Sequence, residues 1–75
     1  MKIQIGKNGV TEGVLEHIKK ASRNTEHIKI KFLPSYAKAN DVEQAAETIS
    51  TYLEPLYEAT YVVIGNTAEF QVQRS

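Results

Sequence analysis

MKIQIGKNGVTEGVLEHIKK, residues 1–20, holds the decision about the fold in four of its residues, Gly6-Lys7-Asn8-Gly9. Asn-Gly between apolar runs is a strong short-range signal for a two-residue hairpin turn, which would send the chain straight back as a second strand. Upstream, Ile3 and Ile5 alternate with Lys2 and Gln4, the period of a strand with one covered face. Downstream the alternation does not resume. Instead Val14, Leu15, Ile18 and Ala21 recur at helical spacing, with Thr11 suited to cap the helix and Asn24 to stop it. The four residues therefore predict a junction from strand to helix.

Outward from this junction, EHIKIKFL (26–33) is the clearest strand in the chain. Ile28, Ile30 and Phe32 alternate with His27, Lys29 and Lys31, so one face is apolar and the other basic, as in a sheet covered on one side. Leu33-Pro34 ends it, and PSYAKAN (34–40) reads as loop. Asp41 with Gln44 resembles a capping box, and Val42, Ala45, Ala46, Ile49 and Leu53 form a helical stripe that runs to about Glu54, where Pro55 stops it. ATYVVIG (59–65) has the β-branched, apolar composition of a central strand. Gly65-Asn66 supplies a turn, and EFQVQ (69–73) returns antiparallel as a fourth strand. Strand, helix, strand, helix, strand, strand predicts a two-layer α/β (α+β) sandwich, with a mixed four-stranded sheet and two helices on one face.

The composition agrees with a single small domain. With 75 residues, 41% hydrophobic and 24% charged, the chain is near the lower size for independent folding and far from a disordered composition. No apolar run approaches the roughly 18 residues of a membrane helix, and the first residues lack the apolar block of a secretory signal. A cytoplasmic location without membrane association is the expectation. The absence of cysteine excludes disulfides and thiolate metal sites. A formal net charge of zero argues against a polyanionic partner, but the distribution is uneven. Residues 1–38 carry eight basic and three acidic side chains, net +5, and residues 39–75 one basic and six acidic, net −5. One half can attract nucleic acid while the other keeps the protein soluble, provided that sequence halves are also surface halves.

No enzymatic constellation emerges. His17 and His27 have no third ligand in view and read as surface histidines, and Glu43 with Glu47 reads as a solvated helix face. No cofactor, metal or catalytic residue is expected. GKNG has chemistry of another kind. Two glycines free the backbone so that successive N–H groups can converge on an anionic oxygen, and the following helix adds the positive end of its dipole. Lys7 adds a mobile charge, and nothing in the four residues reads a base. The ligand this favours is a backbone phosphate of single-stranded or irregular RNA, by analogy with the GxxG loop of KH modules. A tight strand-to-helix turn accounts for the same glycines, and a bare GxxG does not choose between the two.

The longer pattern does more. IGKNGVTEGVLEHIKKA, followed by EHIKIKF and VVIGNT, resembles the CRM domain (chloroplast RNA splicing and ribosome maturation), whose free-standing prokaryotic form is YhbY-like. The resemblance covers most of the chain in the right order. It implies a fold similar to the C-terminal domain of translation initiation factor three, and RNA binding, with precursors of the large ribosomal subunit or introns as targets. The family's loop falls on Gly6, Lys7, Asn8 and Gly9, with Thr11 at the helix start, and its basic second strand on Lys29 and Lys31. Lys2 joins them as a further cation of the expected RNA-binding surface. The family's final strand ends in an arginine soon after the Gly-Asn turn, whereas Arg74 comes about two residues late. Bacterial members carry a helix ahead of the first strand, so the expected organisation is one RNA-binding domain over 1–75 lacking that helix. Tyr36 and Lys38 stand in a stretch without a counterpart, where they could stack on a base and touch a phosphate.

The expected partner is ribosomal RNA or the pre-ribosomal large subunit, met as a monomer or weak homodimer. Two rivals remain. A duplex-binding chromatin protein similar to Alba would share the two-layer fold, and a protein-interaction module could dock a basic ribosomal protein on the acidic half.

Overall fold

A computed structural model of the chain describes residues 1–74. Seven elements follow one another: β1 (Lys2–Ile5), α1 (Glu12–Ala21), β2 (His27–Phe32), α2 (Pro34–Ala37), α3 (Val42–Leu53), β3 (Tyr57–Ile64) and β4 (Thr67–Arg74). The four strands form one mixed sheet in the order β1-β2-β4-β3. β1 and β2 are parallel, with Lys2 opposite Lys29 and Ile5 opposite Phe32. β4 runs antiparallel to both β2 and β3. The expected α+β two-layer sandwich with a mixed four-stranded sheet is the fold.

The covered face of the sheet carries Ile3, Ile5, Ile28, Ile30, Phe32, Ala68, Phe70 and Val72, packed with Ile18 of α1 and Ala45, Ala46, Ile49 and Leu53 of α3 in one buried cluster. Each fully buried isoleucine or leucine stabilises the fold by roughly 1.5–3 kcal/mol. The other face, with Lys2, Gln4, His27, Lys29, Lys31, Glu69, Gln71, Thr60, Val62 and Ile64, is open.

Local chemistry explains the element ends. The Thr11 hydroxyl accepts from the Val14 N–H at 3.2 Å, and the Asp41 carboxylate accepts from Glu43 and Gln44, so both long helices start on a side-chain cap. α1 ends at Ala21, three residues before Asn24, and is capped by Ser22, whose buried hydroxyl donates to the Ile18 carbonyl at 2.9 Å.

Two expectations need correcting. The stretch 34–40 is not all loop: Pro34, pre-set for a first helical position, starts the single turn α2. And β3, apolar enough for a central strand, stands at the edge. Its hairpin partner β4 takes the inner place beside β2, leaving Val62 and Ile64 60% and 63% exposed on the open face.

Candidate nucleic-acid interface

The first turn leaves the sheet at the C-terminal end of β1. Gly6 to Gly9 form a four-residue turn closed by the Gly9 N–H donating to the Gly6 carbonyl at 2.9 Å. Gly9 has φ +71°, a conformation that favours glycine, and a Cβ there would come within 3.3 Å of the Tyr36 ring, a contact tight enough that the ring would have to shift. Tyr36 in turn stacks on Phe32, with ring centroids 5.4 Å apart. The tip, Lys7 and Asn8, is exposed on a buttressed base.

The expected amide cradle is therefore smaller than GKNG implies. Gly6 does not have positive φ, the Gly9 N–H is spent on the turn, and the Val14 N–H on Thr11. Among the described residues, the N–H groups of Lys7, Asn8, Glu12 and Gly13 carry no hydrogen bond. Two stand at the tip and two in the first turn of α1, where the helix dipole favours an anion.

The strand lysines gather on the open face of the same half of the sheet. Lys2 lies opposite Lys29, and Gln4 opposite Lys31. Like charges facing each other across a strand pair oppose folding slightly, and they make a positive strip that an anion can relieve. On its other side β2 meets β4, where Glu69 opposes Lys29 and neutral Thr67 opposes Lys31. The field is thus weakest toward β4 and strongest along β1 and near the Lys7 turn.

The carboxylates of α1 do not oppose this strip. Glu16 accepts from the Tyr52 hydroxyl on α3, and that hydrogen bond, ahead of burial and of the Glu16 and Glu12 charges, raises the tyrosine above its usual pKa. Lys19 lies over the Tyr52 ring, Nζ 5.8 Å from its centroid. The acidic side of α1 therefore faces α3. On the helix flank toward β1 stand Thr11, Gly13, Val14 and His17, which with Lys2, Ile3 and Gln4 line a groove of ≈ 540 Å³.

Residues 1–62 match the CRS1 / YhbY (CRM) domain family. The chain belongs to the CRM domain family. CRM domains are RNA-binding domains, and the matched residues contain the turn, α1 and the three strand lysines. No curated protein matches the chain.

Within this CRM domain, of three further residues weighed from the sequence, Arg74 and Tyr36 fall outside this surface and Lys38 stands at its end. Arg74 pairs with Tyr57 at the far end of β4, away from the Gly65-Asn66 turn, and shares a cleft with Lys19 and Arg23. Tyr36 faces inward as the floor of the first turn, so its ring is committed to Phe32 and not open for stacking on a base. Lys38, just past α2, is exposed at the end of the sheet that bears Lys7. Sequence reasoning missed Gly13 and His17 as neighbours of β1. Their i, i+4 spacing on the helix face away from Glu12 and Glu16 is the signal that could have found them.

Among the described residues no helix is long and apolar enough to cross a membrane, and no group of three His, Asp or Glu could hold a metal ion.

Proposed function

We propose that this CRM domain is a non-enzymatic RNA-binding protein of the cytoplasm that binds ribosomal RNA during assembly of the large ribosomal subunit. The observation that carries this reading is the family match, whose residues include a cationic turn on a fixed base beside a strip of strand lysines. In it, the free N–H groups of Lys7 and Asn8 and of the first turn of α1 hold a phosphate. Lys7 beside that phosphate, with Lys31 and, farther along the strands, Lys2 and Lys29, supplies a salt-dependent field, and Gly6, Gly9 and Thr11 shape the turn and the helix start. The domain acts as a monomer or a weak homodimer.

The test is a double charge reversal, Lys7→Asp with Asn8→Asp, measured against a fragment of large-subunit ribosomal RNA and a DNA duplex of equal length. Both positions are exposed, so the circular dichroism spectrum should not change while RNA affinity is lost. Undiminished binding would remove the proposal, and preference for the duplex would replace it with a chromatin-type role. With about four phosphate contacts, the wild-type affinity for a single strand should fall with a log-log salt slope of roughly −3. A flat salt response would contradict the mechanism.

A further inference from the structure

β1 is an edge strand, and its alternation decides what the edge offers. The Met1 and Ile5 carbonyls accept from Lys29 and Leu33 at 2.7 and 2.8 Å, so these residues direct their backbone groups at β2. Lys2 and Gln4, one step out of phase, direct N–H and C=O the other way, to the outer edge. That edge is one wall of the ≈ 540 Å³ groove, a volume within the roughly 300–1,000 Å³ of ligand clefts. The opposite wall is the flank of α1. There Gly13 leaves space: a Cβ built on it would meet no atom closer than Thr11 Oγ1 at 3.8 Å. The groove starts at the helix cap beside the Lys7 turn and has Lys2 and the exposed His17 among its walls.

We infer that this groove takes the unpaired bases of a single RNA strand whose phosphate is held at the Lys7 turn. The inference rests on the RNA-binding reading above and deepens it by naming where the bases of the RNA lie. Each edge residue presents an adjacent donor and acceptor, the arrangement that also lies along the edge of a nucleobase, so Gln4 and Lys2 can pair with one base each through the backbone. A duplex keeps its bases stacked and paired inside and can offer the groove only phosphates, whereas a loop or single strand can turn its bases in. The missing side chain at Gly13 gives a base room between helix and strand, and the His17 ring offers it a face.

Gly13→Leu tests this without touching a charge. It fills the groove at an exposed helical position where glycine is the poorer helix former, so thermal stability should hold or rise. Binding of the full chain to a labelled single-stranded oligouridylate should weaken about tenfold or more, the scale of losing one stacked base. His17→Ala, at an exposed side chain, should weaken it several-fold and serves as a second reading should Gly13→Leu disturb the fold. Wild-type affinity in both variants, with binding lost in the Lys7→Asp, Asn8→Asp protein, would overturn the groove and leave the phosphate-binding turn standing. Wild-type affinity in all three would overturn both. Equal affinity of the wild type for the oligouridylate and for duplex RNA of the same length would also overturn the groove.

Discussion

Two turns stand at the same end of the sheet, and each contains Asn, Gly and a positive φ. In the first, Gly9 at φ +71° lies against the Tyr36 ring, which a Cβ there would approach to 3.3 Å. In the second, Gly65 at φ +60° joins β3 to β4, and a Cβ there would meet nothing within 4 Å. The hairpin turn has only to reverse the chain, and a positive φ confined to the first of its two central residues, as in a type II′ turn, does that. The first turn must also hold Lys7 and Asn8 at a fixed place before α1, and it does so by resting on Tyr36 and, through it, on Phe32. The same residue types thus serve chain reversal in one place and, in the proposed function, presentation of Lys7 and Asn8 in the other. What separates them is the packing beneath, and pre-arranging a loop lowers the ordering cost of binding.

The largest expected effect comes from removing that packing. Phe32→Ala should destabilise the protein by about 3–5 kcal/mol in denaturant unfolding, and the Lys7 turn should loosen more than the hairpin turn by amide hydrogen exchange. Equal loosening would erase the distinction between the turns. Next, Gly9→Ala should cost toward the upper end of roughly 1–3 kcal/mol and Gly65→Ala toward the lower end, because both strain the backbone and only the first also presses on a ring. Reversed order, read from denaturation midpoints at constant m-value, would show that Tyr36 yields freely. Thr11→Ala removes the cap that joins the first turn to α1 and should cost about 1 kcal/mol, with no counterpart at the hairpin.

The smallest effect is at Tyr52 of α3, which meets α1 on the side that carries Glu16. Glu16 raises its pKa, so the folded state holds the phenolic proton more tightly than the unfolded one. That contribution is fully present below the unfolded value of 10.0 and is lost as pH rises through the folded value. The stability difference between wild type and Tyr52→Phe should be constant from about pH 6 to about pH 9 and move in favour of the variant above about pH 10. No movement would mean that the hydroxyl is not held by Glu16.

The contrast between the turns was only partly legible in the sequence. Loss of alternation after Gly9 was enough to place a helix there, and caps at Thr11 and Asp41 were readable because capping is a matter of neighbouring residues. The parallel pairing of β1 and β2 followed from the intervening helix. Tyr36 was not readable as the floor of the turn. It lies 27 positions from Gly9, in a single helical turn too short to show a period. Strand order was lost for a related reason. Apolar content says that β3 packs against something, and α3 supplies that on one face, but pairing partners are chosen by the hairpin and by β2, which composition does not record. At the candidate site the lysines could be named from their alternation. The groove beside Gly13 could not, since it exists only where one strand edge and one helix flank meet.

Two-dimensional amide spectroscopy, with a single-stranded oligoribonucleotide titrated into the isotopically labelled chain, sets the two turns against each other in one sample. Resonances of Lys7, Asn8, Glu12 and Gly13 should move together and saturate at one affinity, while Gly65 and Asn66, in a turn of like chemistry at the same end of the sheet, stay where they were. Movement concentrated at Gly65 and Asn66, with the first turn unmoved, would contradict the account.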